Sequence, residues 1–130
     1  EVPDFTVNNF AAEAVVLSHR VSFNFDVTCS PDSPRVHCNA LGTSLTESLS
    51  SIPETWCENN STGVSWAWSL ENDGTGKLSI IRRIADTDTQ TITDYANYYV
   101  PTSETPVLGK DKLRHQVYTG PANFLIPANR

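Results

Sequence analysis

The chain has 130 residues and a formal net charge of −6, with 9 Lys and Arg against 15 Asp and Glu. That balance offers no basic surface to nucleic acid or to an anionic membrane. The length is enough to bury a core without a metal, and the absence of any run of about 18 apolar residues excludes a transmembrane helix from the expected elements.

Phe5 and Val7 share one face of a first strand, and the phase then slips because Phe10 follows Asn8-Asn9, which predicts a bulge or bend. Ala11 to Ser18 reads as a short helical turn or a loop. Val21, Phe23, Phe25 and Val27 alternate with Ser22, Asn24, Asp26 and Thr28, so this stretch is a half-buried strand. Ser30-Pro31-Asp32-Ser33-Pro34 must turn, because two prolines cannot continue a ladder. Val36 to Leu41 returns as a third strand. Gly42 to Thr55, rich in Ser and Thr, reads as a long loop with at most one helical turn.

The clearest pattern follows. Val64, Trp66, Trp68 and Leu70 alternate with Ser65, Ala67 and Ser69, which places two indoles on one inward face. Asn72-Asp73-Gly74-Thr75-Gly76 is a run of turn formers, and Lys77 to Ile84 comes back as the second arm of a hairpin. Thr89 to Val100 is strand-like in composition, although Tyr95, Tyr98 and Tyr99 break simple alternation and leave its register open. Pro101 to Pro106 reads as a linker. The tail, with Leu113, Val117, Tyr118, Phe124, Leu125 and Ile126, is too apolar for disorder and is expected to add edge strands or wrap the sheet.

Six or seven strands separated by turns predict an all-β fold, a single-domain antiparallel β-sandwich or flattened β-barrel with long loops. Its core is expected to lie within residues 5–100, with 101–130 as an extension packed on the sheet. The expected buried set is Phe5, Val7, Val21, Phe23, Phe25, Val27, Val64, Trp66, Trp68, Leu70, Leu78 and Ile80.

Secretion is suggested by several features. Ser, Thr and Asn are abundant, Lys is scarce, and the start at Glu1-Val2-Pro3-Asp4 with no Met anywhere suits a mature processed product. Asn59 and Asn60 open two overlapping glycosylation sequons. Cys38 and Cys57 can pair in an oxidising compartment, and Cys29 and Cys38 can pair as well. An odd cysteine would remain as a free or intermolecular thiol.

No catalytic, cofactor or metal site is expected. His19, His37 and His115 lack the spacing of a ligand pair, and no serine sits in a G-x-S-x-G elbow. Glu54, Glu58, Glu71, Asp73, Asp86, Asp88 and Asp94 read as scattered, solvating acids rather than a glycosidase pair. Trp66 and Trp68 read as core rather than as a carbohydrate or apolar-ligand pocket, and Trp56 as packing beside a disulfide. Lys and Arg cluster only at Arg82-Arg83 and Lys110 to Arg114, and in a strand Arg82 and Arg83 point to opposite faces and cannot form one patch without a bulge.

Several of these stretches resemble a known group. Val36-His37-Cys38-Asn39-Ala40, Trp56-Cys57-Glu58-Asn59, Val64 to Leu70 and Gly76 to Ile80 resemble the middle of the fungal small secreted proteins typified by the Alternaria major allergen. Phe5 to Phe10 followed by Val21 to Phe25 is similar to related secreted fungal proteins, among them the hypersensitive-response-inducing elicitors of plant pathogens such as Magnaporthe. The resemblance covers roughly residues 5–100. It implies a Cys38–Cys57 disulfide, closing a loop of about 20 residues and contributing about 3 kcal/mol, with Cys29–Cys38 as the rival pairing. Ala14 and Val21 stand where several such proteins carry a further cysteine pair, and no cysteine follows Cys57. Any covalent dimer would therefore need Cys29, which otherwise reads as a buried thiol beside Val27.

The resemblance implies a non-enzymatic protein of the host apoplast that acts on plants by binding a host protein or receptor, as a monomer or weak homodimer and without membrane insertion. A lipocalin-like carrier of small apolar ligands is the alternative, and a hydrolase of cell-wall polymers a third reading.

Overall fold

The computed structural model describes residues 2–46, 48–58, 62–85 and 90–130. Eleven strands run in the order β1 (Phe5–Val15), β2 (Arg20–Thr28), β3 (Val36–Thr43), β4 (Ile52–Trp56), β5 (Val64–Leu70), β6 (Gly76–Ala85), β7 (Thr91–Val100), β8 (Val107–Leu108), β9 (His115–Gln116), β10 (Phe124–Ile126) and β11 (Ala128–Asn129). They form a four-stranded sheet, β10-β1-β2-β3, and a five-stranded sheet, β11-β7-β6-β5-β4, with β8-β9 as a small separate hairpin. All pairings are antiparallel. The fold is all-β and sandwich-like.

Both long edges of the sandwich are tied. On one side the chain passes from β10, paired to β1, to β11, paired to β7, across Pro127 alone. On the other side Cys38 of β3 is disulfide-bonded to Cys57, the residue after β4. The Glu58 amide donates to the His37 carbonyl there at 2.9 Å. These ties bridge the two sheets, while β3 and β4 remain edge strands.

The inward faces meet in an aromatic layer. Phe23 lies 5.8 Å from Trp66 and 5.2 Å from Trp68, and Phe25 packs edge-on to Trp66 at 5.3 Å. Phe10 extends the layer to Tyr118 at 4.7 Å, and Phe124 stacks on Tyr98 at 4.0 Å. Such pairs add about 0.5–1.5 kcal/mol each beyond the area they bury. The indole N–H groups of Trp66 and Trp68 have no hydrogen-bond partner, a desolvation cost that the surrounding packing must offset. Gly76 is inward-facing and covers the Trp68 ring, where a side chain would collide with it.

The alternation predicted for β2 and β5 positions these rings, and eleven of the twelve expected core residues are buried. Leu70 is the exception. It is the last residue of β5, at the mouth of the Glu71–Thr75 turn.

Other differences have clear physical reasons. Ala11 to Val15 is neither helical nor a loop; it continues β1. Asn9 takes φ 59°, the pairing shifts between Asn8 and Ala11, and the bulge resets the phase so that Phe10, Ala12 and Ala14 point inward. The loop expected up to Thr55 ends at Ile52, where β4 begins with a register shift between Ile52 and Thr55 that accommodates Pro53. In β7, Asp94, Ala96 and Val100 face inward while Tyr95 and Tyr99 face out, which settles the register. Buried Asp94 is satisfied by Arg130, whose Nε donates to it at 2.8 Å. The expected linker is a 3₁₀ turn, Thr102–Glu104, followed by buried Thr105.

Replacing Cys38 and Cys57 together by serine should lower stability by about 3 kcal/mol through the freed loop of the unfolded chain. Urea unfolding followed by circular dichroism measures this. Retention of the native midpoint would show that the clasp between β3 and β4 does not depend on the bond.

Candidate binding site

Three connections converge at one end of the sandwich: the β1–β2 turn, the β3–β4 loop and the β8–β9 hairpin. Together they form a cleft of about 500 Å³ lined by Leu17 and His19, by Leu45, Thr46 and Ser48, and by Val107, Asp111, Lys112 and Arg114. The loops are held from beneath. Leu49 is fully buried, its amide donates to Gln116 Oε1 at 2.7 Å, and Gln116 Nε2 donates to the Thr105 carbonyl at 2.8 Å. The Ser44 amide donates to the His19 carbonyl at 2.9 Å, and Ser44 Oγ accepts from the Ser48 amide at 3.0 Å. Side-chain and backbone bonds thus fix loops that carry no ladder of their own.

The backbone at this end is strained. Four non-glycine residues among those described have left-handed φ, and three of them, Leu17 (65°), His19 (56°) and Asp111 (53°), line this one cleft. The left-handed region costs an L-residue about 1 kcal/mol or more, and such strain concentrates at functional sites. The cost is least for Asp111 and greatest for Leu17, which lacks a short polar side chain to bond its own backbone.

The cleft also has a distinct chemistry. Leu17 is 67% and Leu45 79% exposed, with Val107 also largely exposed. Lys112 and Arg114 stand beside them, and Lys110 adjoins on the same hairpin, so three of the chain's nine Lys and Arg lie within five residues. Exposed leucines and two cations, with Asp111 among them, thus line one cleft on a molecule of net charge −6.

The residues singled out in the sequence take separate places. Cys38 and Cys57 form the disulfide, and Asn59 and Asn60 lie outside the described residues, as do Asp86 and Asp88. Cys29 is a buried free thiol; burial, opposed in part by Arg82, pushes its pKa up to about 11. Its side chain is 3% exposed and lines a cleft with Val36 and Arg82. Trp66 and Trp68 are core, and neither lines any of the described clefts. Trp56 is 48% exposed, with the Arg83 guanidinium 5.8 Å from its ring centre. Arg83 pairs with Glu54 at 3.1 Å on the outer face, while Arg82 lines a different cleft with Cys29 and Val36.

The three histidines stay apart. His19 is in the cleft, His37 pairs across strands with Asp26 at 2.8 Å, and His115 Nδ1 donates to the Leu113 carbonyl at 2.9 Å. Among the described residues no three His, Cys, Asp or Glu side chains gather where a metal could be held, and no helix is long and apolar enough to cross a membrane. Sequence reasoning found the Lys110–Arg114 cluster but missed the cleft, since Leu17 and Leu45 sit in aperiodic loops and nothing in the identity of Leu17 signals its left-handed φ. No protein-family model, curated protein or solved structure matches the chain.

The His37–Asp26 pair is structural and makes its own prediction. The hydrogen bond from His37 holds the Asp26 carboxyl below its ordinary range. A depressed carboxylate pKa stabilises the fold above about pH 4 and loses that contribution as pH falls through the depressed value. Asp26→Asn should therefore flatten the loss of stability below about pH 4 seen in urea titrations; an unchanged acid limb would mean the pair is not formed.

Proposed function

We propose that the chain is a secreted fungal elicitor or effector that provokes plant defence by binding, without catalysis, a host protein or receptor in the apoplast. The observation that supports this most is the loop-end cleft, where strained backbone, exposed leucines and cations coincide on an otherwise acidic molecule. Backbone strain persists only where surrounding structure over-determines it, and here it displays Leu17, His19 and Asp111 in one fixed surface. The recognised host feature is an acidic segment with an apolar side chain that enters between Leu17 and Leu45. The disulfide accords with an oxidising, extracellular compartment. The resemblance to elicitors of plant-pathogenic fungi points the same way. With Cys29 buried, the protein acts as a monomer or a weak non-covalent dimer.

Carriage of small apolar ligands has less support, because the Trp66–Trp68 layer occupies the space that a barrel-mouth carrier needs. Hydrolysis of cell-wall polymers has less still, as the exposed acids are dispersed.

Infiltration of purified protein into leaves, scored for oxidative burst and cell death, tests the reading. The folded protein should be active and the reduced, unfolded protein inactive. A variant carrying Leu45→Asp, Lys112→Glu and Arg114→Glu should lose at least about tenfold in potency with its unfolding midpoint unchanged. Equal activity of the unfolded form, or of that variant, would refute recognition through the folded cleft.

A further inference from the structure

We infer that the outward face of the five-stranded sheet is a platform for an uncharged, extended polysaccharide, with Trp56, Tyr95 and Tyr99 as its stacking surfaces. The site is separate from the loop-end cleft and does not depend on the elicitor reading.

The register builds the platform. Trp56 pairs with Ser65, Ser65 with Ile81 and Ile81 with Tyr95, so one cross-strand row runs from an indole to a phenol. Three strand spacings separate those rings by ~14 Å, and Tyr99, four residues along the same face of β7, lies ~13 Å from Tyr95. All three rings are about half exposed: Trp56 48%, Tyr95 48% and Tyr99 53%. The surface between them is low, made of Ala67, Ser79 and Ile81, with the exposed amide of Asn97 beside it. Between Trp56 and Tyr95 the paired Arg83 and Glu54 side chains cover Ser65, so a ligand that reaches both rings passes over that ion pair.

Trp56 is held in place before any ligand arrives. Buried Ser65 donates to Glu54 Oε2 at 2.6 Å, Arg83 Nη1 donates to the same oxygen at 3.1 Å, and the guanidinium approaches the Trp56 ring. A ring fixed by a cation at its face loses little freedom on binding.

Charge and shape select the occupant. Glu54 is neutralised by Arg83, leaving Lys77 as the single unopposed charge among these residues, so the face is close to neutral on a chain of net charge −6. With Lys77 and the Arg83–Glu54 pair as its charges among the described residues, the face offers little for an acidic or a basic polymer to meet. Chains of equatorially linked pyranose rings are uncharged, extended and flat. They present C–H faces to aromatic rings and hydroxyls to Asn97, Ser79 and Lys77, whereas a coiled glucan could not lie across widely spaced rings on one sheet.

Co-sedimentation of the protein with three insoluble β-1,4-linked polymers, cellulose, chitin and mannan, provides the test. At least one polymer should deplete wild type from the supernatant. The triple variant Trp56→Ala, Tyr95→Ala, Tyr99→Ala should bind at least about tenfold more weakly with its unfolding midpoint unchanged, and Trp56→Phe should retain most of the affinity. Leu125→Ala, exposed on the opposite sheet, should bind as wild type. Should the triple variant fail to fold, the single variants Tyr95→Ala and Tyr99→Ala must each weaken binding. Failure of wild type to bind all three polymers, or undiminished binding by the aromatic variants, would overturn the inference. So would sedimentation equilibrium showing that Tyr99→Ala splits a homodimer, since the face would then be a contact between copies of this chain.

Discussion

The interdigitation of Trp66 and Trp68 with Phe23, Phe25 and Phe10 is the contact on which the rest of the structure depends. Both indoles are presented by β5, which pairs with β6 without a slip along its length, so the rings cannot shift independently of the sheet. Gly76 on the adjacent strand is needed to make room for Trp68. Proteins pack their interiors to crystal-like density, and here the largest side chains do so with their indole N–H groups unbonded. The layer must therefore gain enough from burial and ring contacts to offset two desolvated donors. The edge ties, Pro127 on one side and the Cys38–Cys57 bond on the other, hold the two sheets at the separation that this layer sets.

A filled interior moves function to the surface. What the sheets supply is a rigid frame, and what the connections supply is chemistry, the usual division of labour between scaffold and loops. At the loop end, Leu49 and Gln116 transmit that rigidity into segments with no strand pairing. This explains how left-handed Leu17 and His19 can persist. On the outer face of the five-stranded sheet the same rigidity spaces Trp56, Tyr95 and Tyr99 by register alone. The two surfaces differ in kind: one is concave, basic and apolar, the other open, aromatic and close to neutral.

The parts of the fold legible in sequence are those where side-chain alternation runs unbroken. Val21 to Val27, Val64 to Trp68 and Leu78 to Ile80 declare both strand and buried face. Where a bulge resets the phase, as at Asn9, alternation is lost, and small residues such as Ala12 and Ala14 carry too little signal to restore it. Pro53 hides β4, because a proline argues against a strand unless the strand lies at an edge, as this one does. Leu70 misleads in the opposite sense: the alternation runs on to the last residue of β5, where the turn begins and the side chain is exposed. The loop-end cleft is assembled from segments about 25 to 60 residues apart in sequence, so its cations could be seen as a cluster but not as the wall of a site. Trp56 shows the same limit. Its identity suggested burial, and only the position of Arg83 and the register with Ser65 place it on the outside.

The most direct test of a packed aromatic interior with function confined to the surface is acrylamide quenching of tryptophan emission in Trp56→Phe, where the signal comes from Trp66 and Trp68 alone. A packed layer predicts emission that resists the quencher and does not change when apolar ligands are added. Ready quenching, or a spectral response to apolar ligands, would reveal an accessible cavity at Trp66 and Trp68 and contradict the account of both the core and the binding surfaces.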